Sequence, residues 1–189
     1  MLKIAQDAAA DEVLTADPFA LLTGMLLDQQ FPMEHAFAGP AKVKERFGTL
    51  DPAAIAAADP EEFAALCAVT PVVHRFPASM AGRIQTLAAH VLEEYDGDTS
   101  RLWNEAESGK DLLARLQRIP GFGKQKAQIF VALLAKQLDV RPDGWEEAAG
   151  AYSEPGSFRS VADVVDADSL DRVRAFKKEQ KAKAREAST

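Results

Sequence analysis

Apolar residues return at intervals of three and four along most of this chain, the period of helices that bury one face. In "ADPFALLTGMLLDQQ", Phe19, Leu22 and Leu26 share such a face. Asp17 is placed to cap this helix and Pro18 to occupy its first position. "MEHAFAGPAKVKERFG" keeps the period, with a break predicted at Gly39-Pro40 and an end at Gly48. Two Asp-Pro starts, at Asp51 and Asp59, predict two short helices in "LDPAAIAAADPEEFAALCAV". "FPASMAGRIQTLAAHVLEEYDG" predicts a longer helix, with Met80, Ile84, Leu87 and Val91 facing inward and a stop at Gly97.

Further along, "DLLARLQR" is short and amphipathic, and "KQKAQIFVALLAKQL" buries Ala127, Phe130, Leu134 and Leu138. Residues 142–157 are rich in Gly, Pro, Ser and acids and predict an irregular connection. "DSLDRVRAFKKEQKAKARE" is helical by propensity, with Leu170, Val173 and Phe176 anchoring its first turns. No run of alternating β-branched residues argues for a strand. The expected fold class is all-α, built from many short helices.

Composition sets the limits. The 189 residues, 47% of them hydrophobic, suffice for one ordinary domain or two small lobes. One cysteine, Cys67, excludes internal disulfides and an all-cysteine metal or iron–sulfur site. It is expected to be a small buried hydrophobe. His35, His74 and His90 have no ligand spacing, so neither a metal nor a cofactor is expected. The N-terminus does not have the pattern of a signal peptide, and no stretch is long and apolar enough to span a membrane, so a cytoplasmic protein without membrane contact is expected. The net charge of −7 argues against coating nucleic acid by bulk charge. It leaves room for a local basic site. Residues 172–185 hold seven basic side chains against one acid, Glu179.

The stretch "RIPGFGKQKAQIF" raises a chemical question. Helix N-termini are the positive end of the macrodipole, yet Lys124 and Lys126 fall in the first helical turn. Gly121 and Gly123 permit a tight turn, Ile119 and Phe122 can plug it into the core, and the amides of Phe122 through Gln125 would point outward. Such a terminus binds anions, and the lysines would then attract a bound phosphate. The alternative is an ordinary turn between helices with solvated lysines. A Walker A loop does not fit, because no Gly-Lys-Ser/Thr follows.

These residues resemble the hairpin of the helix-hairpin-helix Gly/Pro/Asp superfamily of base-excision DNA glycosylases, whose pattern is Leu-Pro-Gly-Val-Gly-x-Lys-Thr-Ala with an Asp 18 residues after the lysine. Pro120, Gly121, Gly123 and Ala127 match, and Asp143 lies 18 residues after Gln125, which stands at the lysine position. "DPFALLTGMLLDQQ" resembles the family's first core helix, which makes Gln30, with Gln29 beside it, the best match to the intercalating residue; the alternative is a solvated helix end. The resemblance covers roughly residues 17–143. It departs from the family in lacking the iron–sulfur cysteines and in placing an amide where bifunctional members carry the Schiff-base lysine. Around Asp143 the context is "VRPDGWEEA", and Asp in such a turn is also a favoured turn residue.

The resemblance implies a two-lobed helical fold. Residues 31–138 form one lobe carrying the hairpin (about 111–138), and residues 1–30 with 139–189 form the other. It implies a monomeric, monofunctional N-glycosylase acting on double-stranded DNA with a damaged or mismatched base. Asp143 is the expected catalytic carboxylate, Pro120, Gly121, Phe122, Gly123, Lys124, Gln125 and Lys126 the expected phosphate-binding hairpin, and Gln29 and Gln30 the expected wedge. Apart from the resemblance, Trp103 and Trp145 could stack on a base, the alternative for each being a place in the core or a lid. The alternatives are a non-catalytic DNA-binding relative and a helical protein-interaction module.

Overall fold

The computed structural model describes residues 1–187, which contain eleven α-helices, two 3-10 helices and no strand. The fold class is all-α, as the sequence pattern requires.

The first helix, α1 (Ala8–Ala16), was not expected. Its alanine-rich sequence offers little apolar period, yet Asp7 caps it by accepting from the Ala10 N–H at 2.8 Å. Asp11 is buried on this helix and accepts from the Ala5 N–H at 2.8 Å. That bond pins an N-terminal segment whose Leu2 and Ile4 reach the core. Helix α2 (Pro18–Leu27) starts as expected, with Asp17 accepting from the Phe19 and Ala20 amides. It does not bury one face only. Every residue from Phe19 to Leu27 is buried, so α2 runs through the centre of the molecule.

The break expected at Gly39-Pro40 is absent, because α3 (Met33–Phe47) continues through Pro40 and ends at Gly48 in left-handed conformation. Close packing of α2 on α3 explains the difference. A Cβ on Gly39 would lie 2.6 Å from Leu27 Cδ1, and one on Gly24 would lie 2.5 Å from Phe37 Cδ1. Each glycine receives a large side chain of the other helix. This interlocking offsets the roughly 3 kcal/mol an internal proline costs.

Helices α4 (Pro52–Ala57) and α5 (Pro60–Ala68) have Asp51 and Asp59 as caps and pack on α6 (Pro77–Tyr95). Met80, Ile84, Leu87 and Val91 of α6 face inward as predicted, and Cys67 is buried in α5, where burial pushes its thiol up to about 11. After the single turn of α7 (Arg101–Asn104), α8 (Gly109–Arg118) and α9 (Lys124–Gln137) form the hairpin. Leu138, expected in the core, is only partly buried at the end of α9.

The irregular connection expected over residues 142–157 contains structure. Helix α10 (Trp145–Ala149) runs into a 3-10 turn at Gly150–Ser153 and packs on α8 and α9. A second 3-10 turn, Val161–Asp163, is tied to α9: Gln137 donates to the Val161, Ala162 and Val164 carbonyls, and Lys136 pairs with the buried Asp163 side chain at 2.6 Å. That connection sets the start of α11 (Ala167–Glu186), whose Leu170 and Val173 are buried while Phe176 is half-buried.

Candidate nucleic-acid interface and adjoining cavity

The hairpin turn is built from its own sequence. Gly121 has φ +88°, which a side chain would strain. Ile119 and Phe122 are buried and hold the turn down, with Phe122 edge-on to Phe130 at 6.4 Å. The Phe122 amide is not free, because it donates to the Ile119 carbonyl at 3.0 Å. This corrects the expectation that the outward amides begin at Phe122. The open terminus starts one residue later. Gly123 caps α9 with no side-chain partner, and Gly121, Gly123, Lys124 and Gln125 are exposed. A Cβ on Gly123 would meet nothing within 4 Å. The first turn of a fourteen-residue helix thus faces solvent with its positive end uncovered.

The two lysines of that turn part company. Lys124 is exposed beside the amides. Lys126 turns inward, and its Nζ donates to the Met25 and Leu26 carbonyls at 2.8 and 3.1 Å. Those carbonyls belong to the last turn of α2, the negative end of that helix, so Lys126 neutralises one helix while starting another. Burial pushes its ammonium down to about 8 from an ordinary 10.5. The folded protein therefore loses this proton before the unfolded chain does as pH rises. The stability of the wild type relative to Lys126→Met is expected to rise between about pH 8 and 10.5 and then level off. Urea unfolding across that range would read it, and a flat or falling difference would mean that the ammonium is not held in a desolvated place.

At the end of α2 the two glutamines also differ. Gln29 is spent internally: Nε2 donates to the Leu26 carbonyl at 2.7 Å, and Oε1 accepts from Arg83 at 3.1 Å. Gln30 has φ +51° and is exposed, and its side chain has no hydrogen-bond partner among the described residues. The corner is fixed from below by His74, which is fully buried. The Phe76 amide donates to its Nδ1, so Nε2 carries the hydrogen and donates to the Gln29 carbonyl at 2.9 Å. Burial lowers the His74 pKa, consistent with a neutral ring.

This same loop presents residues that the sequence reading passed over. Phe76 is 45% exposed with the Arg75 guanidinium over its ring at 4.9 Å. An aromatic directly before a helix-starting proline was the available signal. Arg75, Phe76, Arg83 and Gln30 make a basic, partly aromatic rim.

Between the hairpin, the end of α2 and α11 lies a cavity of about 590 Å³. Asp28, Gln125, Gln128, Tyr152, Arg159 and Lys177 line it, with Met25 and Phe176 among its apolar patches. Gln125 Nε2 donates to the Tyr152 hydroxyl oxygen at 2.9 Å. Helix α11 is held over the cavity by Lys177, whose Nζ is 3.6 Å from Asp28, and by the pair Arg174–Glu34.

Asp143 is placed elsewhere. It is exposed in the turn before α10, where Trp145 donates to the Pro142 carbonyl at 3.0 Å. It lines a separate depression of about 370 Å³ with Ser108, Lys110 and Glu147. Its position is fixed, because its carbonyl accepts from the Gly109 N–H at 2.8 Å. The structure thus brings Gln125 and Lys126 together with the end of α2, and sets Asp143 outside the cavity lining. Trp103 is buried and Trp145 half-buried against the core. Among the described residues no group of three or more His, Cys, Asp or Glu is placed to hold a metal ion, and no helix is long and apolar enough to cross a membrane.

A family model described as "HhH-GPD superfamily base excision DNA repair protein" matches residues 23–189. Neither the curated proteins nor the solved structures contain a significant match.

Proposed function

We propose that this chain, which belongs to the HhH-GPD superfamily of base excision DNA repair proteins, is a monofunctional DNA N-glycosylase acting on duplex DNA with a damaged or mispaired base. The observation that carries the reading is the uncapped, exposed start of α9 standing beside a cavity of mixed polar and apolar lining, large enough for an extruded base. The cavity is lined by residues of both proposed lobes, 31–138 on one side and 1–30 with 139–189 on the other.

In this reading a backbone phosphate docks on the amides around Gly123 to Gln125, with Pro120, Gly121 and Phe122 shaping the turn and Lys124 adding charge. Lys126 supports the site from behind. Gln30 is the wedge that fills the gap left by the extruded base, and Gln29 braces it. As the bond from sugar C1′ to the base breaks, its electron pair leaves with the base and positive charge develops on the sugar. Asp143, at the family spacing from Gln125, is the proposed carboxylate that stabilises this charge and orients or deprotonates the attacking water. Water adds its oxygen to C1′, and the base takes up a proton. Gln125 has no amine with which to form an imine, and the Lys126 amine is engaged with two carbonyls. Both support hydrolysis without strand cleavage.

The test is release of free base from duplexes that each carry one lesion, together with duplex affinity measured across salt concentrations. Lys124→Glu is expected to weaken duplex binding about equally for all sequences and to reduce the log–log salt slope by about 1. An unchanged slope would remove the phosphate site. The second reading is a DNA-binding relative without catalysis, favoured by the placement of Asp143 outside the cavity lining. Salt-dependent duplex binding with no base released from any lesion would establish it.

A further inference from the structure

The cavity wall has a definite donor and acceptor pattern. It carries one carboxylate, Asp28, whose side chain is 12% exposed, and three cations, Lys126, Arg159 and Lys177. A carboxylate only accepts hydrogen bonds and an ammonium only donates them. Lys177 Nζ lies 3.6 Å from Asp28 Oδ2, so an acceptor and a donor stand side by side. That spacing suits partners of two adjoining groups on one ring, an N–H and a C=O. Gln125, Gln128 and Tyr152 add further polar contacts, whereas aromatic faces are few. The Phe176 ring is already covered by the Arg159 guanidinium at 5.5 Å.

We infer, on the glycosylase reading above, that this cavity takes a neutral base with a lactam edge, Asp28 accepting from its ring N–H and Lys177 donating to its carbonyl. The class includes uracil, hypoxanthine and 8-oxoguanine. Guanine and thymine share the edge, and the easier extrusion of a damaged or mispaired base separates them from the targets. Cationic alkylated purines are disfavoured twice over. They meet two cations, Lys126 and Lys177, against the single lining carboxylate, Arg159 being paired with Glu154 at 2.7 Å, and they find little free aromatic surface to stack on. A neutral etheno base lacks the ring N–H and leaves Asp28 without a partner, a costly state in a shielded site.

The experiment measures base release from one duplex sequence carrying uracil, hypoxanthine, 8-oxoguanine, N7-methylguanine or 1,N6-ethenoadenine in turn. At least one of the first three is expected to be released at least about tenfold faster than either of the last two. Asp28→Asn, which replaces an accepting oxygen by a donor, is expected to slow that release by about tenfold to a hundredfold. Lys177→Met, on an exposed stretch of α11, is expected to slow the same release, and serves if Asp28→Asn does not fold. Binding to a duplex with an abasic site, which places no base in the cavity, is expected to stay within about twofold for Asp28→Asn. Faster release of either of the last two bases, or unchanged release by both variants, overturns the inference and leaves the glycosylase reading standing. Release of no base from any duplex overturns both.

Discussion

Asp143→Asn is expected to slow base release by between about a hundredfold and ten-thousandfold, the range lost when a group that moves a proton or meets transition-state charge is removed. Duplex affinity is expected to stay near the wild-type value, because Asp143 lies in the turn before α10 and not in the hairpin. The variant has little structural excuse for failing. Asp143 is exposed, and the contact fixing its turn is a backbone carbonyl, which Asn also has. A single-turnover assay on the preferred lesion separates chemistry from binding. Retained activity would sink the assignment and leave Asp28 as the carboxylate lining the cavity.

Gly109→Ala carries the largest expected effect on stability. A Cβ at this position would lie 2.5 Å from the Gly144 carbonyl oxygen and 2.6 Å from the Trp145 Cα. These are backbone atoms and cannot step aside as a side chain can. The start of α8 would separate from the turn carrying Asp143, and the bond from the Gly109 N–H to the Asp143 carbonyl would lengthen or break. The expected loss is about 2–4 kcal/mol, which lowers the melting temperature of a domain this size by about 4–16 °C. Gly82→Ala provides the contrast. Gly82 is exposed inside α6 with nothing within 4 Å of a Cβ, so alanine should raise stability by about 0.5–1 kcal/mol. Thermal unfolding of the two variants reads both signs, and an unchanged midpoint for Gly109→Ala would show that the turn is not pressed against α8.

The sequence was most readable where local chemistry decided the structure. Asp17, Asp51 and Asp59 each precede a proline and each caps a helix. The Pro-Gly-Phe-Gly turn declared itself because Gly121 needs positive φ and Phe122 needs a core to enter. It was least readable where distant packing decided. Pro40 stays helical because Leu27 and Phe37 interlock across Gly39 and Gly24. Helix α1 has few large apolar residues to show a period, and α10 lies in a stretch of Gly, Pro and acids. The inward turn of Lys126 depends on α2 residues a hundred positions earlier. Arg159, Tyr152 and Lys177 carry no mark of a cavity until α11 folds over the hairpin.

The bonds from Lys126 to the final carbonyls of α2 have a mechanical consequence. They fasten the start of α9 to the corner bearing Gln30, so the two ride on one stiff strut. On the proposed reading, a double helix that docks on such a strut would have to adapt its own curvature, since the two docking points are tied to each other. On the proposed reading, interrogation of the strand would then depend on local pliancy. Intact, well-stacked steps resist the imposed bend, whereas a weakened pair gives way and is the one presented for inspection.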